Sequence, residues 1–150
     1  MNFFRWLLSR LPTGASASRP AALTPDWSGY GYLGAVGESQ YQPALKGIAR
    51  RGRICEATLI PEPDNPWDVN AVVVKIGEQV IGYLPRSHAR RYQRRLLTLI
   101  EPYRCPAKLI GGTSDKPSFG VLLDTRVLEH MPTPKKPRKK RTVDPTDTPF

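Results

Sequence analysis

Cysteine is scarce in this chain. Only Cys55 and Cys105 occur in 150 residues, too few for a disulfide framework and too isolated for a zinc site. Both lie in runs with β-type patterning, which reads as buried free thiols, and this fits a reducing, cytoplasmic setting. Whether two strands bring them together as a bridge is a geometric question that spacing leaves open. No apolar run approaches the ~18 residues of a membrane span. There is no Gly-rich phosphate loop, no Ser or Cys in a nucleophile elbow, and no paired histidine. His88 and His130 have no partner at metal or catalytic spacing and read as surface or capping residues. The acidic stretch EPDNPWD (62–68) is the one place where a divalent cation invites consideration. It lacks the alternation and terminal Glu of a calcium loop, and its prolines limit how the carboxylates converge. A metal-dependent nuclease is therefore disfavoured, and the reading is of a non-enzyme without a cofactor.

Positive charge, by contrast, is abundant. The formal net charge is +10 and the pI is near 10.0. The last twenty residues hold six Lys and Arg against two Asp, so the excess is concentrated outside the central region. Such a balance points to a polyanionic partner, nucleic acid before an anionic membrane surface.

Three regions follow from composition. Residues 1–31 hold an apolar, arginine-interrupted segment, MNFFRWLLSRL, and a Pro/Ala/Ser-rich linker. The segment is the wrong shape for a secretory signal, because its charges interrupt rather than precede the apolar residues. Drawn as a helix it gathers Phe3, Phe4, Leu7, Leu8 and Leu11, a face suited to packing on its own domain, to a partner, or to membrane contact through residues 3–11, the last not favoured. Residues 32–130 read as the globular domain. Residues 131–150 are rich in Pro, Lys, Arg and Thr, and read as a disordered basic tail.

Within the domain, strands are expected at Tyr32–Val36, Arg53–Ile60, Ala71–Ile76, Gln79–Tyr83, Arg104–Ile110 and Phe119–Leu123, with Gly77-Glu78 as a tight hairpin turn. Helices are expected over Gln40–Arg50 and Arg86–Ile100, the second carrying an apolar stripe of Ala89, Tyr92, Leu96 and Leu99. Six short strands that must hide their edges, with two helices between them, imply a mainly β α+β fold, a small, partly open barrel.

The chemistry concentrates between Glu62 and Arg86. In Asn65-Pro66-Trp67-Asp68, proline stiffens the backbone ahead of an aromatic and a carboxylate. An exposed Trp67 offers a face on which a base stacks, worth roughly 1–3 kcal/mol; a Trp67 folded back would cap the core instead. Asp68 repels a continuing phosphate backbone, yet it accepts a hydrogen bond from a free hydroxyl such as a terminal 3′-OH. It also suits a turn aspartate bonded to its own backbone. Tyr83 ends the hairpin, and Arg86 follows within reach of a phosphate. Arg86, Arg90 and Arg94 form one ridge of the second helix, with no nearby Glu to pair with them: a phosphate track or a solvated face. Phe119 is a core residue or a second aromatic wall, and Tyr41 is equally two-sided.

VGESQYQPAL (36–45), EPDNPWDVNAVVV (62–74) and IGYLPRSHA (81–89) resemble the HIRAN domain, the module at the N-terminus of helicase-like transcription factor and related ATPases, and a standalone domain in many bacterial proteins. The resemblance covers about residues 32–128. It implies a modified OB-like barrel that binds the 3′ end of single-stranded DNA. By motif position Trp67 would stack on the terminal base and Asp68 meet its 3′-OH, with Tyr83, Arg86 and Phe119 completing the site. Trp67 stands where the family usually has Tyr, keeping the stacking face and losing the hydroxyl. The Arg-Tyr pair of eukaryotic members has only Tyr41 as a counterpart, and the ATPase motor is missing.

The expectation is thus a non-enzymatic module for single-stranded DNA, recognising its 3′-OH end through Trp67, Asp68, Tyr83, Arg86, Phe119 and Tyr41, with Arg90 and Arg94 on the backbone. Its setting would be cytoplasmic or nucleoid-associated, with a helicase or nuclease as a further partner. The alternative is a protein-interaction adaptor that uses the same surface without end recognition.

Overall fold

The structure is a computed structural model and describes residues 25–28 and 31–135. The expected N-terminal segment, most of the linker and all but the first residues of the tail lie outside these. Six strands form one antiparallel sheet: β1 (Leu33–Gly34), β2 (Ile54–Pro61), β3 (Val72–Ile76), β4 (Gln79–Tyr83), β5 (Tyr103–Gly111) and β6 (Phe119–Leu123). Their order is β1-β6-β5-β2-β3-β4, and the sheet curls into a half-barrel. Three short helices accompany it: α1 (Gln42–Ala49), preceded by a 3-10 turn over Glu38–Tyr41, α2 (Arg86–Leu96) and α3 (Arg126–His130).

Alternation explains most of the packing. In β5, Cys105, Ala107 and Leu109 point inward; Ala57 and Leu59 do so in β2, and Val121 and Leu123 in β6. Val72, Val73 and Val74 are buried on both faces of β3, as an unbroken β-branched run should be. The turn to β4 has Gly77 at φ 59 and no positive φ at Glu78, the arrangement of a two-residue hairpin with glycine first. Leu45 and Ile48 of α1, Ala89, Tyr92 and Leu96 of α2, and Leu128 of α3 close the core. Cys55 and Cys105 are free thiols on neighbouring strands. Cys55 faces Ala107 and Cys105 faces Ala57, so the two are offset rather than opposite. Burial pushes the Cys105 thiol up to about 12.

Three elements differ from the sequence expectation. The first strand is shorter than Tyr32–Val36 because the segment changes partner: Leu33 and Gly34 pair with β6, whereas Val36 bridges Tyr83 of β4. The second helix ends at Leu96 rather than Ile100. Helix α3 was not anticipated; its five residues are too few for a periodic signal.

The change of partner joins the two edges of the sheet. Ala35 N–H donates to Val121 O (3.0 Å), Val36 N–H to Tyr83 O (2.8 Å) and Tyr83 N–H to Val36 O (2.9 Å). Gly82 permits the approach. A Cβ there would lie 2.7 Å from the Val36 carbonyl oxygen, at φ 156. Glu38 lies under the same junction and accepts the Val121 N–H at 2.9 Å. Burial raises its carboxyl above the ordinary range, against the Val121 hydrogen bond and the Lys116 charge.

Two outcomes follow for stability. Gly82→Ala should lower unfolding stability by about 2–3 kcal/mol in urea titrations; a change below about 0.5 kcal/mol would mean the junction is soft. Because the folded pKa of Glu38 is raised, its protonated form favours folding below the unfolded value, and that contribution disappears as pH rises through the raised value. Glu38→Gln keeps an acceptor for Val121 N–H, so its stability relative to wild type should improve from pH 4 to pH 7. A constant difference across that range would contradict the assignment.

Candidate nucleic-acid interface

The β2–β3 loop is built by short-range polar chemistry. Its base is pinched by Glu62 N–H to Ala71 O (2.8 Å) and Ala71 N–H to Asp68 O (3.0 Å). Asn65 organises the tip: its Oδ1 accepts the N–H groups of Trp67 (2.9 Å) and Asp68 (3.1 Å), and its Nδ2 donates to Glu62 Oε2 (3.0 Å). Such an Asx turn substitutes for regular structure where Pro61, Pro63 and Pro66 prevent it. From α2, the buried Gln93 donates to Val69 O (2.8 Å) and Ala71 O (3.2 Å), fastening the loop to the helix.

Trp67 projects from this frame and is 88% exposed. It does not fold back over the core. Asp68 divides its carboxylate between two jobs. Oδ1 accepts the Asn70 N–H at 2.9 Å, the turn role; Oδ2 lies 3.8 Å from Arg86 Nε. Arg86 itself is 84% exposed, so this ion pair is worth at most about 1 kcal/mol and yields readily to a competing ligand.

Tyr83 and Tyr41 meet on the other side of Glu62. The Tyr83 hydroxyl is pushed above its usual range by burial first, then by the Glu62 carboxylate and the Tyr41 hydroxyl. Gln42, next to Tyr41, bonds both backbone groups of Phe119: Oε1 accepts its N–H (2.8 Å) and Nε2 donates to its carbonyl (2.9 Å). The surface therefore forms a band running Phe119, Gln42, Tyr41, Tyr83, Glu62, Asn65, Asp68, Arg86. The Phe119 ring packs against the core. A Cβ on Gly112 would lie 2.3 Å from it, and the Arg53 guanidinium lies 5.8 Å from its centroid. Among the described residues, no ring contact joins Trp67 to Tyr83 or Phe119. Two concavities of about 400 Å³ lie elsewhere, one by Ile48, Ile54 and Ile76, the other by Tyr32, His88 and Arg126. The band is an open platform.

The arginine ridge differs from its expectation. Arg86 and Arg90 are exposed, but Arg94 donates to Pro134 O at 2.8 Å. A glutamate is close after all: Glu129 of α3 pairs with Arg91 at 2.7 Å and accepts from the Tyr92 hydroxyl. It comes from 38 positions beyond Arg91, too far for a helix-spacing argument to register it. Gln93, Asn65 and Glu62 also went unremarked as site-building residues. Asn65 alone had a local signal, as an Asx residue ahead of two amides in a proline-rich turn.

No group of three or more His, Cys, Asp and Glu is placed to hold a metal ion among the described residues, and no described helix is long and apolar enough to cross a membrane. No protein-family model matches the chain, and no curated protein or solved structure matches it.

Asn65→Ala should release the loop tip. Amide exchange at Trp67 and Asp68 should accelerate about tenfold or more, since each loses its acceptor, corresponding to about 1.4 kcal/mol or more. Exchange unchanged from wild type would show that another contact holds the tip.

Proposed function

We propose that this protein is a non-enzymatic module that binds single-stranded DNA and recognises its 3′-OH end. The carrying observation is Trp67, 88% exposed, beside an Asp68 whose second carboxylate oxygen meets only the exposed Arg86, at 3.8 Å. A terminal base stacks on the indole, gaining roughly 1–3 kcal/mol. The 3′-OH donates to Asp68 Oδ2, a position in which a further phosphate is repelled. Arg86 turns from Asp68 to the last phosphodiester, and Arg90 follows along α2. Tyr83 and Tyr41, tied to Glu62, form the floor, and Phe119 supports its far end. Joining both sheet edges at Val36 supports the finer fold reading, an OB-like small barrel, and the resemblance of the EPDNPWD and GYLPR stretches to the HIRAN domain supports the ligand. A cytoplasmic, nucleoid-associated setting belongs to the same reading.

One observation favours a second reading. Val69 is exposed beside Trp67, and Leu97 and Ile100 are exposed beyond α2. An adaptor would use such apolar groups to hold a helicase or nuclease.

Competition binding with linear strands ending in 3′-OH, linear strands ending in 3′-phosphate, and circular single strands separates the two. The 3′-OH strand should bind at least tenfold tighter, and Asp68→Asn should erase that margin. Trp67→Ala should weaken all linear strands about 5- to 150-fold. Equal binding of free, blocked and circular strands would sink end recognition.

A further inference from the structure

Helix α2 spends its arginines in two ways. Arg86 and Arg90 point to solvent. The next ones grip the chain after β6. Arg95, 8% exposed, donates to Leu128 O and Glu129 O, both at 2.9 Å, and to Thr133 Oγ1 at 3.1 Å. Arg94 holds Pro134 O at 2.8 Å, and Arg91 holds Glu129 at 2.7 Å. Burying a guanidinium is costly unless its donors are satisfied, and here carbonyl oxygens of α3 and the segment after it satisfy them. Residues 131–134, tail by composition, are thereby fastened to α2.

The fastening has a geometric consequence. Lys135 is the residue after the clamped Pro134, and it opens KKPRKKR (135–141), in which six of seven residues are cationic. The tail therefore departs from α2 at Arg94. Arg94 is two turns, about 12 Å, along the helix from Arg86. That is the length of three or four stacked nucleotides.

We propose that Arg86, Arg90 and the C-terminal basic tail form one phosphodiester-binding track, with the arginine clamp fixing where the tail joins it. The inference rests on the nucleic-acid reading above and adds a second, internal contact region to the terminal one. A strand seated at Trp67 runs along α2, and its next phosphates meet the tail. The clamp holds the first tail residue beside the strand, raising the local concentration of the tail's cations.

The test uses the full chain and oligothymidylates of four and twelve nucleotides, each with a 3′-OH or a 3′-phosphate. Wild type at 50 mM salt should bind the twelve-mer at least tenfold tighter than the four-mer, whichever group ends the strand. Twelve Gly/Ser residues inserted between Pro134 and Lys135 keep every charge and leave the clamp intact. They should weaken the twelve-mer about five- to tenfold, since effective concentration falls roughly as the −3/2 power of tether length. The four-mer should change less than twofold. An insertion variant that binds the twelve-mer as wild type does would overturn the track, even with the 3′-OH preference intact. Loss of that preference with the length dependence retained would overturn the role of Asp68 and leave the track standing. No binding of either oligonucleotide would overturn both.

Discussion

Val36 and Tyr83 exchange two backbone hydrogen bonds, of 2.8 and 2.9 Å, and through them the segment that already lies on β6 also holds the far edge of the sheet. Gly82 makes the approach possible by having no side chain to place against the Val36 carbonyl. The rest of the platform depends on this junction. It sets Tyr83 beside Tyr41 and Glu62, and Glu62 is the residue that receives Asn65. Asn65 in turn holds the amides that aim Trp67 and Asp68. Barrel-like closure also removes two open edges that would otherwise template pairing with other chains.

The acidic loop sits on a strongly basic protein without contradiction. Its carboxylates are consumed locally: Glu62 by Asn65 and the tyrosine pair, one oxygen of Asp68 by the Asn70 amide. What remains toward solvent is one carboxylate oxygen facing a loosely held arginine. That arrangement leaves an acceptor and a cation side by side at the foot of an exposed indole. On an open platform, a stacked base and a pair of charges supply both attraction and discrimination, without an enclosed pocket.

Helix α2 shows how one residue type carries unlike roles. Arginine suits each because its planar donor fork is always charged and readily satisfied by several carbonyls at once. Where α3 and residues 131–134 cover the helix, the fork is structural; where nothing covers it, the charge stays free. The Tyr92 ring lies near both Arg91 and Arg95, and its hydroxyl meets Glu129, which is held below its usual range by that hydrogen bond first and by Arg91 among other cations.

Local pattern was enough for the elements whose information is local. Gln79–Tyr83 and Phe119–Leu123 begin and end where alternation and glycine punctuation put them, and Ala89, Tyr92 and Leu96 turn inward as their spacing requires. The stiff, proline-bounded turn around Trp67 was equally readable. Other features needed residues far apart in the chain to meet. Glu129 reaching Arg91, Gln42 bonding Phe119 across 77 positions and Val36 leaving β6 for β4 have no periodic signature, because each is made by the path of the whole chain. Residue type and spacing determined which segments would be strands, where the loop would stiffen and that its surroundings would be basic. The tertiary structure alone decided that Trp67 faces solvent, which arginines are free, and which oxygen of Asp68 is left to bind. Those properties depend on what lies opposite each side chain, and only the folded chain puts it there.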